Sequence, residues 1–248
     1  MRILVTNDDG IGAAGIKALA EAMTQLGDVT VVAPDRERSA TGHSLTLHAP
    51  LRIFELKEHW FAVDGTPTDC VNMGIHNLLP FRPDLVVSGI NQGSNMGDDI
   101  TYSGTVAAAM EANLMGIPAL AISLASYTDT SHFNDAATSV LPIIQTFISN
   151  GLPNNTFLNI NIPNLPLAEI KPPMITRQGK RSFVGSIIDK VDPWGRKYYW
   201  IGSEEPSFID EDGTDFHAVG QGNISITPLH LDLTNYNAMD LLNNWNLQ

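Results

Sequence analysis

A chain of 248 residues with 43% hydrophobic and 17% charged residues has room for one large domain, or one domain with an appendage, and is not a disordered polymer. Fourteen Lys and Arg against 27 Asp and Glu leave a formal charge of −13, so the long-range field repels polyanions and argues against a nucleic-acid polymer as partner. The single cysteine, Cys70, excludes an internal disulfide and a thiolate metal site, which fits a reducing compartment. Apolar runs such as Leu85 to Ser88 fall far short of the roughly 18 residues of a membrane span, and Met1-Arg2-Ile3 shows no signal-peptide pattern. The expectation is therefore a cytoplasmic protein with no membrane partner.

The first half alternates short apolar runs with helical patterns, the order of βαβ units on a parallel sheet. Arg2 to Thr6 reads as a strand, Gly15 to Leu26 as a helix closed by Gly27, and Val29 to Ala33 as a second strand. Thr66-Pro67-Thr68-Asp69 has the hydroxyl, first-turn proline and acidic third residue of a capped helix running toward Leu78. Leu85 to Val87 reads as a buried strand, Ser103 as the cap of a helix through Met115, and Ala119 to Ser123 as another strand. Beyond about residue 150 the texture changes. Thr156 to Ile162 alternates like a strand, but Ile170 to Thr214 is rich in Pro, Gly and aromatics with little helical period, as in an appendage. Its Trp194, Tyr198, Tyr199 and Trp200 either pack on their own domain or form a subunit interface. Its short basic cluster, Arg177, Lys180 and Arg181, is followed by Glu204-Glu205 and Asp210-Glu211-Asp212, so it makes no basic stripe for a polyanion.

The chemistry concentrates at strand ends. Asn7-Asp8-Asp9-Gly10 puts two adjacent carboxylates where open α/β sheets carry their ligands. Gly10, Gly12 and Gly15, with Asp35 after the second strand, have dinucleotide-fingerprint spacing and keep open a dinucleotide-binding oxidoreductase. Against it, Asp8 and Asp9 would repel a pyrophosphate unless a cation intervened. The loop Asp35 to Gly42 and the loop from Gly89 through Asn91 and Asn95 to Gly97 supply Ser and Asn oxygens, a hard set suited to Mg²⁺ or Mn²⁺. Ser103-Gly104-Thr105 opens a helix, so it is either a plain cap or an anion cradle. The seven histidines have no metal-ligand spacing, and His43 reads as a surface or packing residue. A module that binds a metal-phosphate without turnover is the non-enzymatic alternative.

Together the segments RILVTNDDGI, VVAPDRERSATGHSLTL, DGTPTDCV, VVSGINQGSNMGDDITYSGTVAAAMEA and VGQGNISITPL closely resemble the SurE family of stationary-phase survival proteins, metal-dependent 5'/3'-nucleotidases. The resemblance implies a Rossmann-like, doubly wound, mostly parallel α/β domain over residues 1–248. It also implies an arm at about 170–214 exchanged within a homodimer or homotetramer. It places one divalent ion per subunit on Asp8, Asp9, Ser39 and Asn91, and phosphate contacts on Asn91, Asn95, Ser103, Gly104 and Thr105. Asp8 and Asp9 become the catalytic pair, the substrate a nucleoside monophosphate, and short polyphosphate a side substrate. Asn113 stands where that family usually has glycine, away from these residues.

Overall fold

A computed structural model describes residues 1–126, 131–182, 187–201 and 207–245, so Glu204-Glu205 lie outside the described residues. Strand β1 (Arg2–Thr6) leads to helix α1 (Ala14–Met23) and strand β2 (Asp28–Pro34). Helix α1 stops short of Leu26, where Thr24, Gln25 and Leu26 bond back only three residues and tighten the chain. Gly27 is needed for a reason other than a left-handed cap: a Cβ there would lie 2.0 Å from the Met1 carbonyl oxygen. A hairpin of β3 (Ile53–Lys57) and β4 (Trp60–Val63) follows, unexpected because β3 is mostly exposed and carries Glu55 and Lys57.

Helix α2 (Pro67–Met73) has the expected capping box: Asp69 N–H donates to Thr66 Oγ1 at 3.1 Å and Thr66 N–H to Asp69 Oδ2 at 2.9 Å. Its continuation to Leu78 is a wider π turn from Gly74. Strand β5 (Leu85–Gln92) runs five residues past Val87. Its pairing breaks between Ser88 and Asn91 and resumes, so Asn91 sits on a strand and not in the loop that its glycine neighbours suggested. Gly89 is required there, with φ +136° and the Ile122 carbonyl oxygen 2.2 Å from where a Cβ would be.

Helix α3 (Gly104–Leu114), β6 (Ala119–Ala125), α4 (Phe133–Asn150) and β7 (Thr156–Pro163) complete the parallel part. Then come β8 (Lys171–Ile175), β9 (Arg181–Ser182), β10 (Ile187–Val191), β11 (Lys197–Ile201), β12 (Ser207–Phe208), α5 (Asp215–Gly220), β13 (Asn223–His230) and α6 (Tyr236–Leu242).

The main sheet has the order β3-β4-β2-β1-β5-β6-β7-β13-β8. From β4 to β7 neighbours are parallel, β3 and β13 are antiparallel to β4 and β7, and β8 is parallel to β13. Ile16, Leu19, Val140 and Ile144 of α1 and α4 join the core on one face; Cys70, Val71, Val106 and Ala109 of α2 and α3 join it on the other. Each fully buried Leu or Ile contributes about 1.5–3 kcal/mol. Ala107, Ala108, Ala109 and Ala112 keep α3 close to the sheet. From β1 the chain winds outward on both sides, through β2 and through β5, and this reversal opens a crevice at the carboxyl ends of those strands.

The first residues of the expected appendage belong to this sheet as β8. What projects is chiefly the antiparallel pair β10–β11. Trp194, Tyr199, Trp200 and Ile201 are 78%, 61%, 62% and 91% exposed, so these aromatics do not pack on their own domain. Among the described residues no helix is long and apolar enough to cross a membrane.

Candidate active site

The turn after β1 is held before it does any chemistry. Asn7 Nδ2 donates to the Gly10 carbonyl at 2.9 Å, Ile11 N–H to Pro34 O at 2.8 Å, and Arg38 N–H to Asp8 O at 2.7 Å, which stitches the β1 and β2 ends together. Gly10 has φ +93°, and a Cβ there would meet the Arg36 backbone at 2.9 Å. Asp8 is 4% exposed; Thr105 Oγ1 donates to its Oδ1, and the backbone amides of Gly104 and Thr105 favour its ionised form. Asp9 Oδ2 accepts from Gln92 N–H at 2.9 Å. Burial pushes both carboxyls up, Asp9 to about 6, with Asp8 and Glu37 adding like charge to Asp9. Among the described residues neither carboxyl is hydrogen-bonded or ion-paired to a Lys or Arg side chain. Two neighbouring acids, Asp8 buried and Asp9 half-buried, without a basic partner are the environment that a hard cation relieves.

The other expected ligands approach from the neighbouring strands. Ser39, exposed on the loop after β2, donates to Glu37 Oε1 at 2.9 Å and shares with Asp9 a cleft of ≈ 440 Å³ that Gln92, Gly15 and Phe133 also line. Asn91, on β5, spends its Nδ2 on the Gly93 carbonyl at 2.8 Å, which fixes its Oδ1 as the acceptor end. The donor set is therefore oxygen only, and it fits Mg²⁺ or Mn²⁺. Among the described residues no group of three or more His, Cys, Asp or Glu side chains is placed to hold a metal, so serine and asparagine oxygens are needed to complete any site here. Larger hollows lie at the amino ends of the strands (≈ 490 Å³) and between α4 and the β13–β8 edge (≈ 640 Å³); neither holds a site carboxylate.

The helix start serves two purposes. Ser103 Oγ accepts from Val106 N–H at 3.1 Å, a plain N-cap. Thr105 turns its hydroxyl on Asp8, and a Cβ on Gly104 would lie 2.8 Å from Asp8 Cβ and 2.9 Å from its Oδ2. The anion already facing this helix start is Asp8. Asn95, 7% exposed, donates its Nδ2 to Ser123 Oγ at 2.8 Å.

Residues that sequence reasoning missed hold these loops. His43 Nε2 and Glu111 Oε2 are hydrogen-bonded at 2.6 Å, and Asn72 Nδ2 donates to Glu111 Oε1 at 2.7 Å, so His43 tethers the Ser39 loop to α2 and α3. Asp69, beyond its cap, accepts from Thr46 N–H at 2.9 Å and Thr46 Oγ1 at 2.6 Å in that loop. Asp215, fully buried, accepts from Gly97 N–H and Gly179 N–H, each at 2.8 Å. The alternation of Asn159 and Asn161 with Leu158, Ile160 and Ile162 was the available signal for β7, because amides buried in a central strand need partners. Asn113 Nδ2 bonds the Thr156 carbonyl at 3.1 Å.

The fingerprint glycines have other reasons. A Cβ on Gly15 would lie 1.9 Å from the Ile90 carbonyl oxygen, so it serves the packing of α1 against β5, and nothing lies within 4 Å of one on Gly12. Asp35 is engaged by Arg36 at 3.4 Å and Arg38 at 3.8 Å.

The chain as a whole is similar to other proteins. The sequence profile described as Survival protein SurE matches residues 3–185. A Pelobacter propionicus protein named 5'-nucleotidase SurE is 66% identical over 99% of both chains. Another of that name, from Geobacter sulfurreducens, is 62% identical over all of this chain and 94% of the relative. The crystal structure of the SurE protein from Aquifex aeolicus superposes with a TM-score of 0.89 at 47% identity, covering 98% of each chain. With the profile over most of the chain and full-length relatives at this identity, the chain belongs to the SurE family.

Proposed function

We propose that this chain is a metal-dependent phosphomonoesterase that hydrolyses nucleoside 5'- and 3'-monophosphates to nucleoside and phosphate in the cytoplasm, with short polyphosphate as a side substrate. One observation carries the reading: buried Asp8 and half-buried Asp9 stand side by side at the strand reversal, and among the described residues neither is paired with a basic side chain. The 66% identity to a 5'-nucleotidase SurE narrows the class of phosphate ester.

Asp8, Asp9, Ser39 and Asn91 would hold one Mg²⁺ or Mn²⁺ per subunit. When bound, such an ion lowers the pKa of a water and neutralises phosphoryl charge. Thr105 orients Asp8, and the Gln92 amide orients Asp9. Asp9 lines the cleft, which supports its orienting or deprotonating the attacking water, with the nucleoside beside it. Asn91 and Asn95 position the phosphate, and the start of α3 at Ser103, Gly104 and Thr105 favours its negative charge as well as that of Asp8. The exposed β10–β11 hairpin supports assembly into a homodimer or homotetramer. A phosphate-release assay on AMP with Mg²⁺ or Mn²⁺ tests the reading. Activity should vanish on chelation and return with the ion; full activity after exhaustive chelation would overturn it.

A further inference from the structure

A row of polar residues crosses the buried sheet where aliphatic side chains would pack more simply. Asn91 on β5, Ser123 on β6, Asn161 on β7 and Ser225 on β13 are successive register partners. Ser123, Asn159, Asn161 and Ser225 are all 0% exposed. Burying an amide costs free energy unless its hydrogen bonds are made, so such a row persists where its bonds hold something in place.

Two members of the row, Ser123 and Asn161, hold a single residue, Asn95. Asn161 Oδ1 accepts from Asn95 N–H at 2.8 Å, and its Nδ2 donates to the Asn95 carbonyl at 2.9 Å, a two-point clamp. Asn159 Nδ2 donates to the same carbonyl at 2.8 Å. Ser123 Oγ accepts one hydrogen of the Asn95 side-chain amide at 2.8 Å, which fixes the side chain as well as the backbone. Asn95 is thus tied by four hydrogen bonds to two central strands, although it stands in the connection between β5 and α3.

We infer that Ser123 and Asn161, with Asn159, are positioning residues that present the Asn95 amide to the phosphoryl group. This inference rests on the phosphomonoesterase reading above. The remaining N–H of Asn95 Nδ2 is the donor it would offer. Fixing that donor in advance removes the ordering cost of a loop amide at the moment of binding.

The test uses the full chain loaded with Mn²⁺ and reads the KM for AMP, the Kd of inorganic phosphate by calorimetry, and the Kd of Mn²⁺. Ser123→Ala removes one hydroxyl and leaves the backbone clamp. It should raise KM and phosphate Kd by about tenfold, the scale of one hydrogen bond in an anion site, with Mn²⁺ affinity unchanged. Ser123→Thr restores the hydroxyl and should recover most of the loss. Asn161→Asp keeps the acceptor but sets an oxygen against the Asn95 carbonyl, and should cost more than Ser123→Ala. It also reads the Asn95 clamp independently if Ser123→Ala does not fold. Ser225→Ala, in the same row but bonded to Thr176 at 2.8 Å instead of to Asn95, should leave KM and phosphate Kd unchanged. Wild-type phosphate affinity in both Ser123→Ala and Asn161→Asp, or an equal rise in Ser225→Ala, would overturn the inference. Absence of AMP hydrolysis by the unaltered chain would overturn the nucleotidase reading instead, and phosphate calorimetry would still report on the Asn95 clamp.

Discussion

At the carboxyl ends of the strands, Asp8, Asn91, Asn95 and Thr105 are each less than a tenth exposed, while on β11 Tyr199, Trp200 and Ile201 are 61–91% exposed. The first region puts polar and ionisable groups inside; the second puts aromatic and aliphatic groups outside. Each placement costs free energy in the isolated chain, one through desolvation and the other through apolar area left in water. On the function proposed above, each would be relieved by something bound: a cation and a phosphate in the first case, a second copy of the chain in the second. The difference shows that a position unfavourable for folding carries the chemical type of its missing partner.

That contrast can be broken most severely at the carboxylates. Asp8→Asn and Asp9→Asn should each lower kcat for AMP by about 10² or more with the fold intact, the scale of losing a major electrostatic contributor. A near-normal rate in either would mean that the buried acids serve folding alone. Gly104→Val should cost a similar factor, because the new side chain meets Asp8 itself. Mn²⁺ affinity should then fall together with turnover, whereas a side chain that only blocked the phosphate would spare it; calorimetric Mn²⁺ titration of this variant decides.

Relief by a cation also has a thermal signature. At 100 times its Kd, Mn²⁺ should add about 2.7 kcal/mol of stability, near 5–10 °C in Tm for a chain of this size, and chelation should reverse it. No shift would separate the buried acids from metal binding. On the other side of the comparison, the unaltered chain should sediment as a dimer or larger, and Trp200→Glu should shift it toward monomer. A clean monomer for the unaltered chain at micromolar concentration would mean that the hairpin tolerates water. The smallest effect concerns neither region directly: Thr66→Ala loses the α2 cap and the hydroxyl's 2.8 Å bond to the Ser44 carbonyl. It should cost about 1 kcal/mol, or 2–4 °C in Tm, by thermal melting.

The sequence made some of this legible and hid the rest for physical reasons. Helices with caps and strands with uninterrupted apolar runs could be read, since Thr66/Asp69 and Leu85 to Val87 act through local chemistry. Helix α4 escaped because Pro142 interrupts its period, yet together with α1 it covers one face of the core. Strand β5 was read too short because Gly89 signals a turn in sequence, while in space it answers the approach of the Ile122 carbonyl. The carboxylates announced themselves through adjacency and position, but the bonds that orient them could not. Thr105 meets Asp8 across 97 residues of chain and Asn161 meets Asn95 across 66, and nothing local predicts such pairs. The resemblance assigned the Ser103 to Thr105 turn to phosphate; the hydrogen bonds show it also turned on a carboxylate of the protein.

The two borders of the main sheet bear on how these molecules avoid indefinite growth. Strand β8 is an outer strand whose sequence is Lys171-Pro172-Pro173-Met174-Ile175. Two consecutive residues there have no N–H, so whichever one the pleat turns outward, a donor is missing from the free side. At the opposite border β3 is short and carries Glu55 and Lys57. An incoming strand therefore finds a gapped ladder at one end and charge at the other. Under the proposed assembly, molecules would meet through the hairpin without their sheets fusing edge to edge into fibres.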